Sequence, residues 1–129
     1  MKSYLLDTHT LIWWIDDSKK LSNKARQILS DPNNTCFFSL ISSWEMSIKT
    51  SIGKLKLSIP VRDYVTYHLP LNNFKQLELT LNHVTRVENL VWHHRDPFDR
   101  LLIAQAIENK LSIVSADKAF DLYEIERIW

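Results

Sequence analysis

The chain has 129 residues, 45% of them hydrophobic, with a formal net charge of +1. That is one domain's worth of sequence, able to bury a core without disulfide or zinc, and a single domain over 1–129 is expected. The lone Cys36 excludes an intrachain bridge and lacks Cys/His ligand spacing around it, which fits a reducing compartment, so cytoplasm is the expected location. No run reaches the roughly 20 apolar residues that cross a bilayer, and the near-zero charge leaves any nucleic-acid binding to a local basic patch or a bound cation.

Ser3–Leu6 has the character of a short apolar strand ending at Asp7. Asp7 and His9 interrupt the apolar opening, Asp16 and Asp17 follow, and no small-residue cleavage site is present, so no signal peptide is expected. Thr10–Trp14 reads as a short helix and Asn23–Leu29 as a second, with Ser22 as N-cap. Thr35–Ser39 is the next strand. Ile41, Trp44 and Ile48 recur at helical spacing, and Gly53 supplies a stop after about three turns. Between Glu45 and Asp63 there is no acid, while Lys49, Lys54, Lys56 and Arg62 fall in that span; this is a basic patch or an ordinary solvated face. Further helices are predicted from Pro60 to about Leu69, over Asn82–Asn89 and over Pro97–Asn109, and strands over Gln76–Thr80, Leu111–Ser115 and Ile125–Ile128. Strands separated by helices imply crossover connections, hence an α/β fold with a central parallel sheet of about four to five strands.

In an open parallel sheet, ligands bind beyond the carboxyl ends of the strands. Asp7 closes the first strand and Asp117 stands just past Ile113-Val114-Ser115; each suits such a site, and each equally suits a helix cap. Asp96-Pro97-Phe98-Asp99 opens a helix, with Asp96 as N-cap and Pro97 at the first position. Capping explains Asp99 less well, because Leu102, Ile103 and Ala106 lie three, four and seven residues on along the apolar face, and a carboxylate on that line needs a partner. Glu45 adjoins the stripe through Trp44 and Ile48, although a solvent-facing pair with Lys49 is an alternative. Clustered carboxylates repel unless a cation neutralises them. Acid ligands without cysteine suit a hard ion, Mg²⁺ or Mn²⁺.

Four segments, in this order, resemble the PIN-domain ribonucleases, specifically the VapC-like toxins of bacterial toxin–antitoxin pairs: Leu5-Leu6-Asp7-Thr8-His9; Ser43-Trp44-Glu45-Met46-Ser47-Ile48-Lys49 with Gly53-Lys54-Leu55; His94-Arg95-Asp96-Pro97-Phe98-Asp99-Arg100-Leu101-Leu102-Ile103-Ala104-Gln105-Ala106; and Ser115-Ala116-Asp117-Lys118-Ala119-Phe120. The third is the most specific, and the resemblance spans essentially the whole chain. One departure is Val91 after Leu90, where members with this run often carry Leu-Pro.

The resemblance implies a three-layer α/β/α fold, with Asp7, Glu45, Asp99 and Asp117 as metal-binding catalytic acids, Asp96 nearby, and Ser115 as a hydroxyl ligand or orienter. It implies hydrolysis of RNA to 5′-phosphate and 3′-hydroxyl ends with Mg²⁺ or Mn²⁺, a homodimer, and a cognate antitoxin whose tail covers the acidic groove. Lys49, Arg95 and Arg100 are candidates for steadying phosphate charge. Adjacent His93 and His94 point to opposite sides of an extended chain, favouring a structural or RNA-contacting role over metal binding. Five tryptophans are many for this size; some suit an interface, though core packing is the commoner fate.

Other Mg²⁺-dependent α/β enzymes fit less well. A haloacid-dehalogenase-like phosphatase wants a second Asp where His9 stands, and a receiver domain wants adjacent acids at the first strand's end and an acceptor Asp after a middle strand, where Phe37-Phe38-Ser39 ends without one. One glycine cannot build a Rossmann phosphate loop. A non-catalytic RNA- or protein-binding module of the same fold would be expected to have lost an acid, and all four are present.

Overall fold

A computed structural model describes residues 2–129. Five strands, β1 (Ser3–Leu6), β2 (Thr35–Ser39), β3 (Phe74–Leu77), β4 (Ser112–Val114) and β5 (Arg127–Ile128), form one sheet in the order β3-β2-β1-β4-β5. Every pairing is parallel, with Leu6 opposite Phe38 on one side and Val114 on the other. Helices α1 (Thr8–Ile15), α2 (Asn23–Ser30), α3 (Leu40–Ser51), α4 (residues 61–71), α5 (Leu81–Arg86) and α6 (Pro97–Asn109) make the crossovers.

The period-2 alternation of β1 divides the core into two layers. Tyr4 and Leu6 face one cluster, with Leu11, Ala25, Leu29, Met46 and Leu69; Leu5 faces the other, with Leu102, Ile103, Ala106 and Phe120. This is the expected three-layer arrangement. Trp13, Trp14 and Trp129 pack against the first cluster, whereas Trp44 and Trp92 are exposed.

Most element boundaries follow local chemistry. Ser22 caps α2 by accepting from the Ala25 amide, and Gly53, at φ +77°, provides the left-handed residue that ends α3. Two predicted elements are corrected. The strand expected over Gln76–Thr80 lies at Phe74–Leu77, because Phe74 and Leu77 point into the core while Thr80 is drawn into a capping box with His83 at the start of α5. The helix after Pro60 is interrupted by a π-helical turn over Tyr64–His68 and continues to Leu71.

The sheet order changes direction beside β1: β2 and β3 extend to one side, β4 and β5 to the other. The crevice beyond the carboxyl ends of β1 and β4 is therefore where such a sheet builds a site.

Candidate active site

Asp7 leaves β1 into that crevice and caps α1, accepting from the Thr8 amide at 2.8 Å; the Ser115 hydroxyl, at the end of β4, donates to its other oxygen at 2.7 Å. Burial pushes the Asp7 carboxyl above its ordinary range, more strongly than the Ser115 hydrogen bond, the charge of His9 and the Thr8 amide lower it, and Glu45 adds repulsion. Ser115 also accepts from the Asp117 amide at 3.0 Å, so one hydroxyl ties both acids to β4. Asp117 itself is exposed and caps the following turn through the Ala119 amide.

Glu45 is buried on the inner side of α3. Thr8 donates its hydroxyl to Glu45 Oε1 at 2.9 Å and touches Ser42 Oγ at 2.8 Å, while Lys49 Nζ donates to Oε2 at 2.6 Å. Glu45 therefore belongs to the interior, and its pair with Lys49 forms there rather than on a solvent-facing surface as the alternative had it. The Lys49 ammonium is held above its ordinary value by the Glu45 hydrogen bond, with Asp96 and Asp99 adding to the field.

Asp99 sits in the first turn of α6 with its side chain 16% exposed. Its carboxyl is pushed up to about 8, first by burial and then by the charges of Asp7, Asp96, Asp117 and Glu45. Asp96 is the exposed N-cap, accepting from the Phe98 and Asp99 amides. The structure thus brings all five acids within electrostatic reach of one another.

Among the described residues, no three acidic, histidine or cysteine side chains converge closely enough to grip an ion as they stand. Asp7, Glu45, Asp96 and Asp117 instead accept hydrogen bonds from the protein, and Asp99 lies beside His94. The chemistry of the donor set still fits a divalent cation. It is oxygen-only and gathered at one sheet edge, where burial and then the charges of the neighbouring acids push the Asp99 carboxyl up to about 8. A cavity of about 730 Å³ elsewhere, lined by Arg86, Glu88, Glu108 and Tyr123, contains none of these acids.

Of the cations, Lys49 reaches the acids and Arg95 is exposed beside Asp96 in the chain. Arg100 is a correction. It is 2% exposed, and its guanidinium donates to the carbonyls of Leu90 at 3.0 Å and Val91 at 2.9 Å, with the Trp92 ring 3.8 Å away. It clamps the loop that precedes α6 and is not placed to meet a phosphate. Sequence reasoning passed over Thr8 and Ser42, hydroxyls on the first turns of two helices that begin at the sheet's carboxyl edge; that position was the available signal. It also passed over Tyr123, which no local pattern marks.

The PIN domain family model matches residues 4–126. No curated protein matches the chain. Among solved structures, VapBC from Salmonella typhimurium, crystallised bound to DNA, is similar at TM-score 0.68 and 15% identity, over 99% of this chain and 98% of that one. VapBC2 from Rickettsia felis, bound to a promoter DNA fragment, aligns at TM-score 0.66 and 15% identity over 98% and 97%. FitAcB from Neisseria gonorrhoeae aligns at 0.60 and 16% over 98% and 96%. At such identities the likeness is one of fold. With a family model spanning nearly all of its length and a five-stranded parallel sheet that gathers acids at its carboxyl edge, the chain belongs to the PIN domain family.

Proposed function

We propose that this protein is a metal-dependent endoribonuclease, the toxin of a toxin–antitoxin pair, and that Asp7, Glu45, Asp99 and Asp117 hold a Mg²⁺ or Mn²⁺ ion, with Asp96 at the rim. The observation that carries the reading is the Asp99 carboxyl, pushed up to about 8 first by burial and then by the repulsion of the four carboxylates around it. Such repulsion is costly to maintain and is relieved by a cation.

A divalent cation bound there supplies Lewis-acid polarisation of the phosphate and lowers the pKa of water to give a nucleophile at neutral pH. The chain's own residues do the rest. Ser115 fixes the orientation of Asp7 and the backbone of Asp117; Thr8 and Lys49 fix the two oxygens of Glu45. Lys49, at the edge of the acids, and Arg95 are the groups proposed to steady the phosphate backbone, which carries no sequence information, so the target is set by other contacts.

An antitoxin partner is supported by the fold's likeness to toxin–antitoxin complexes, among them one from Klebsiella pneumoniae at TM-score 0.63 and 17% identity. The exposed Trp44, packed edge-on against Phe98 beside the acids, suits a covering chain. A homodimer and a cytoplasmic location complete the proposal. One observation favours a second reading, a non-catalytic RNA- or protein-binding module: no three acids close on an ion in this arrangement of side chains, among the described residues.

The two readings separate on incubation of the purified protein with a pool of cellular RNA and either Mg²⁺ or Mn²⁺, followed by analysis of fragment ends. Nuclease action yields 5′-phosphate and 3′-hydroxyl ends. A folded protein that cuts nothing with either metal is a binding module.

A further inference from the structure

We propose that Arg100, Tyr123 and His94 form a positioning relay that fixes His94 as its Nε2–H tautomer and sets that N–H beside Oδ2 of Asp99. What Asp99 does rests on the proposed function; the tautomer does not.

Arg100 is the one member whose protons are certain. A guanidinium has donors only. Arg100 is buried, and its Nη1 donates to Tyr123 Oη at 3.3 Å, which makes the phenol oxygen an acceptor. The phenol must then place its own proton, and among the described residues its one further polar partner is His94 Nδ1, at 2.7 Å. Tyr123 is 7% exposed, and the 2.7 Å contact makes the imidazole nitrogen the acceptor for that proton. With Nδ1 accepting, a neutral imidazole carries its proton on Nε2.

That Nε2 is buried without a hydrogen bond in the present arrangement, and Oδ2 of Asp99 lies 3.4 Å from it. The relay is braced from both ends. The Trp92 ring covers the Arg100 guanidinium at 3.8 Å, and the His93 ring meets Tyr123 edge-on at 4.9 Å. Neighbouring histidines thus divide the work, one packing on the phenol and the other bonded to it. A donor facing one oxygen of Asp99 restricts rotation of the carboxylate and leaves the other oxygen for a cation, the way ligating groups are commonly oriented by the residues behind them. His94, Tyr123 and Arg100 are accordingly positioning residues, and the largely apolar helix face that carries Asp99 is tied to the loop before it and to the turn after β4.

The test has two arms on the full chain. Long-range ¹H–¹⁵N spectra of the imidazoles in the metal-free wild type are expected to show His94 protonated at Nε2 and bare at Nδ1; an Nδ1–H tautomer, or an imidazolium at neutral pH, overturns the relay. The second arm counts free Mn²⁺ by electron paramagnetic resonance. Tyr123→Phe, which keeps the ring, is expected to mix the tautomers and weaken Mn²⁺ binding by about 10- to 100-fold, and His94→Gln, which keeps a donor, to recover most of the affinity lost in His94→Ala. Unchanged tautomer and unchanged affinity in Tyr123→Phe overturn the proposal. Should the wild type bind no Mn²⁺, the metal reading of the site fails instead, and the spectrum of the wild type alone decides the relay.

Discussion

Asp99→Asn should stabilise the chelator-treated protein at pH 8 and leave it nearly unchanged at pH 4. The folded carboxyl keeps its proton up to about pH 8, whereas in the unfolded chain it titrates at its ordinary 3.8, so between those values the folded state binds more protons. Stability from this group is full below pH 3.8 and declines as pH rises to about 8. Taken without screening, that interval corresponds to roughly 6 kcal/mol. Because the carboxylate still reaches water, about half of it, on the order of 3 kcal/mol, is the expected gap between wild type and variant at pH 8. Asn is close in shape to a protonated Asp and does not titrate. Urea unfolding at pH 4, 6 and 8 in chelator reads the gap as a midpoint difference that grows to roughly 1.5 M, for an m-value near 2 kcal/mol per molar. Millimolar Mg²⁺ at pH 8 should then restore the wild type more than the variant. A gap of equal size at every pH, or a variant less stable than wild type at pH 8, would refute the reasoning.

Lys49→Met removes the ammonium that occupies Glu45 Oε2, so Mn²⁺ should bind several-fold more tightly, while binding of single-stranded RNA weakens and its log–log salt slope shrinks by about 0.7; titration of each ligand across salt concentrations checks both directions. Thr8→Val keeps the side chain's shape but strands a buried Glu45 oxygen and the Ser42 hydroxyl, and should cost about 1–3 kcal/mol in urea unfolding. A loss near zero would mean that water replaces the hydroxyl. Gly53→Ala meets open space but must adopt φ near +77°, so it should cost about 1 kcal/mol from backbone strain alone and leave RNA cleavage at the wild-type rate.

Where local chemistry and tertiary packing agree, the sequence was sufficient. Asp96 and Pro97 announced the start of α6, and Asp99 stood out because Leu102, Ile103 and Ala106, all buried, share its line on the helix. β1, β2 and their registers place Asp7 and the first turn of α3 at one edge, which the alternation of strands and helices already implied. Legibility failed where a distant residue decides. Gln76–Thr80 has the composition of a strand, yet His83, three residues past Thr80, claims that residue for a cap. Arg100 had the expected profile of an exposed cation next to an acid; only the folding of residues 90–94 over it supplies the carbonyls that make its burial tolerable. Tyr123 and Ser115 meet their partners, His94 and Asp7, 29 and 108 residues away, and no periodicity encodes such pairings. The acids, then, were visible one at a time and Ser115 through the family resemblance, whereas the pairings of Thr8 with Glu45 and of Tyr123 with His94 were visible only in three dimensions.

The most direct test of the metal-dependent nuclease is the rate of RNA cleavage in Mg²⁺ by wild type, Asp7→Asn and Asp99→Asn at equal concentration of folded protein, with a chelator control. Cleavage that stops in chelator and falls by about 100-fold or more in both variants is the expected result; cleavage that persists in chelator, or survives both substitutions, contradicts it.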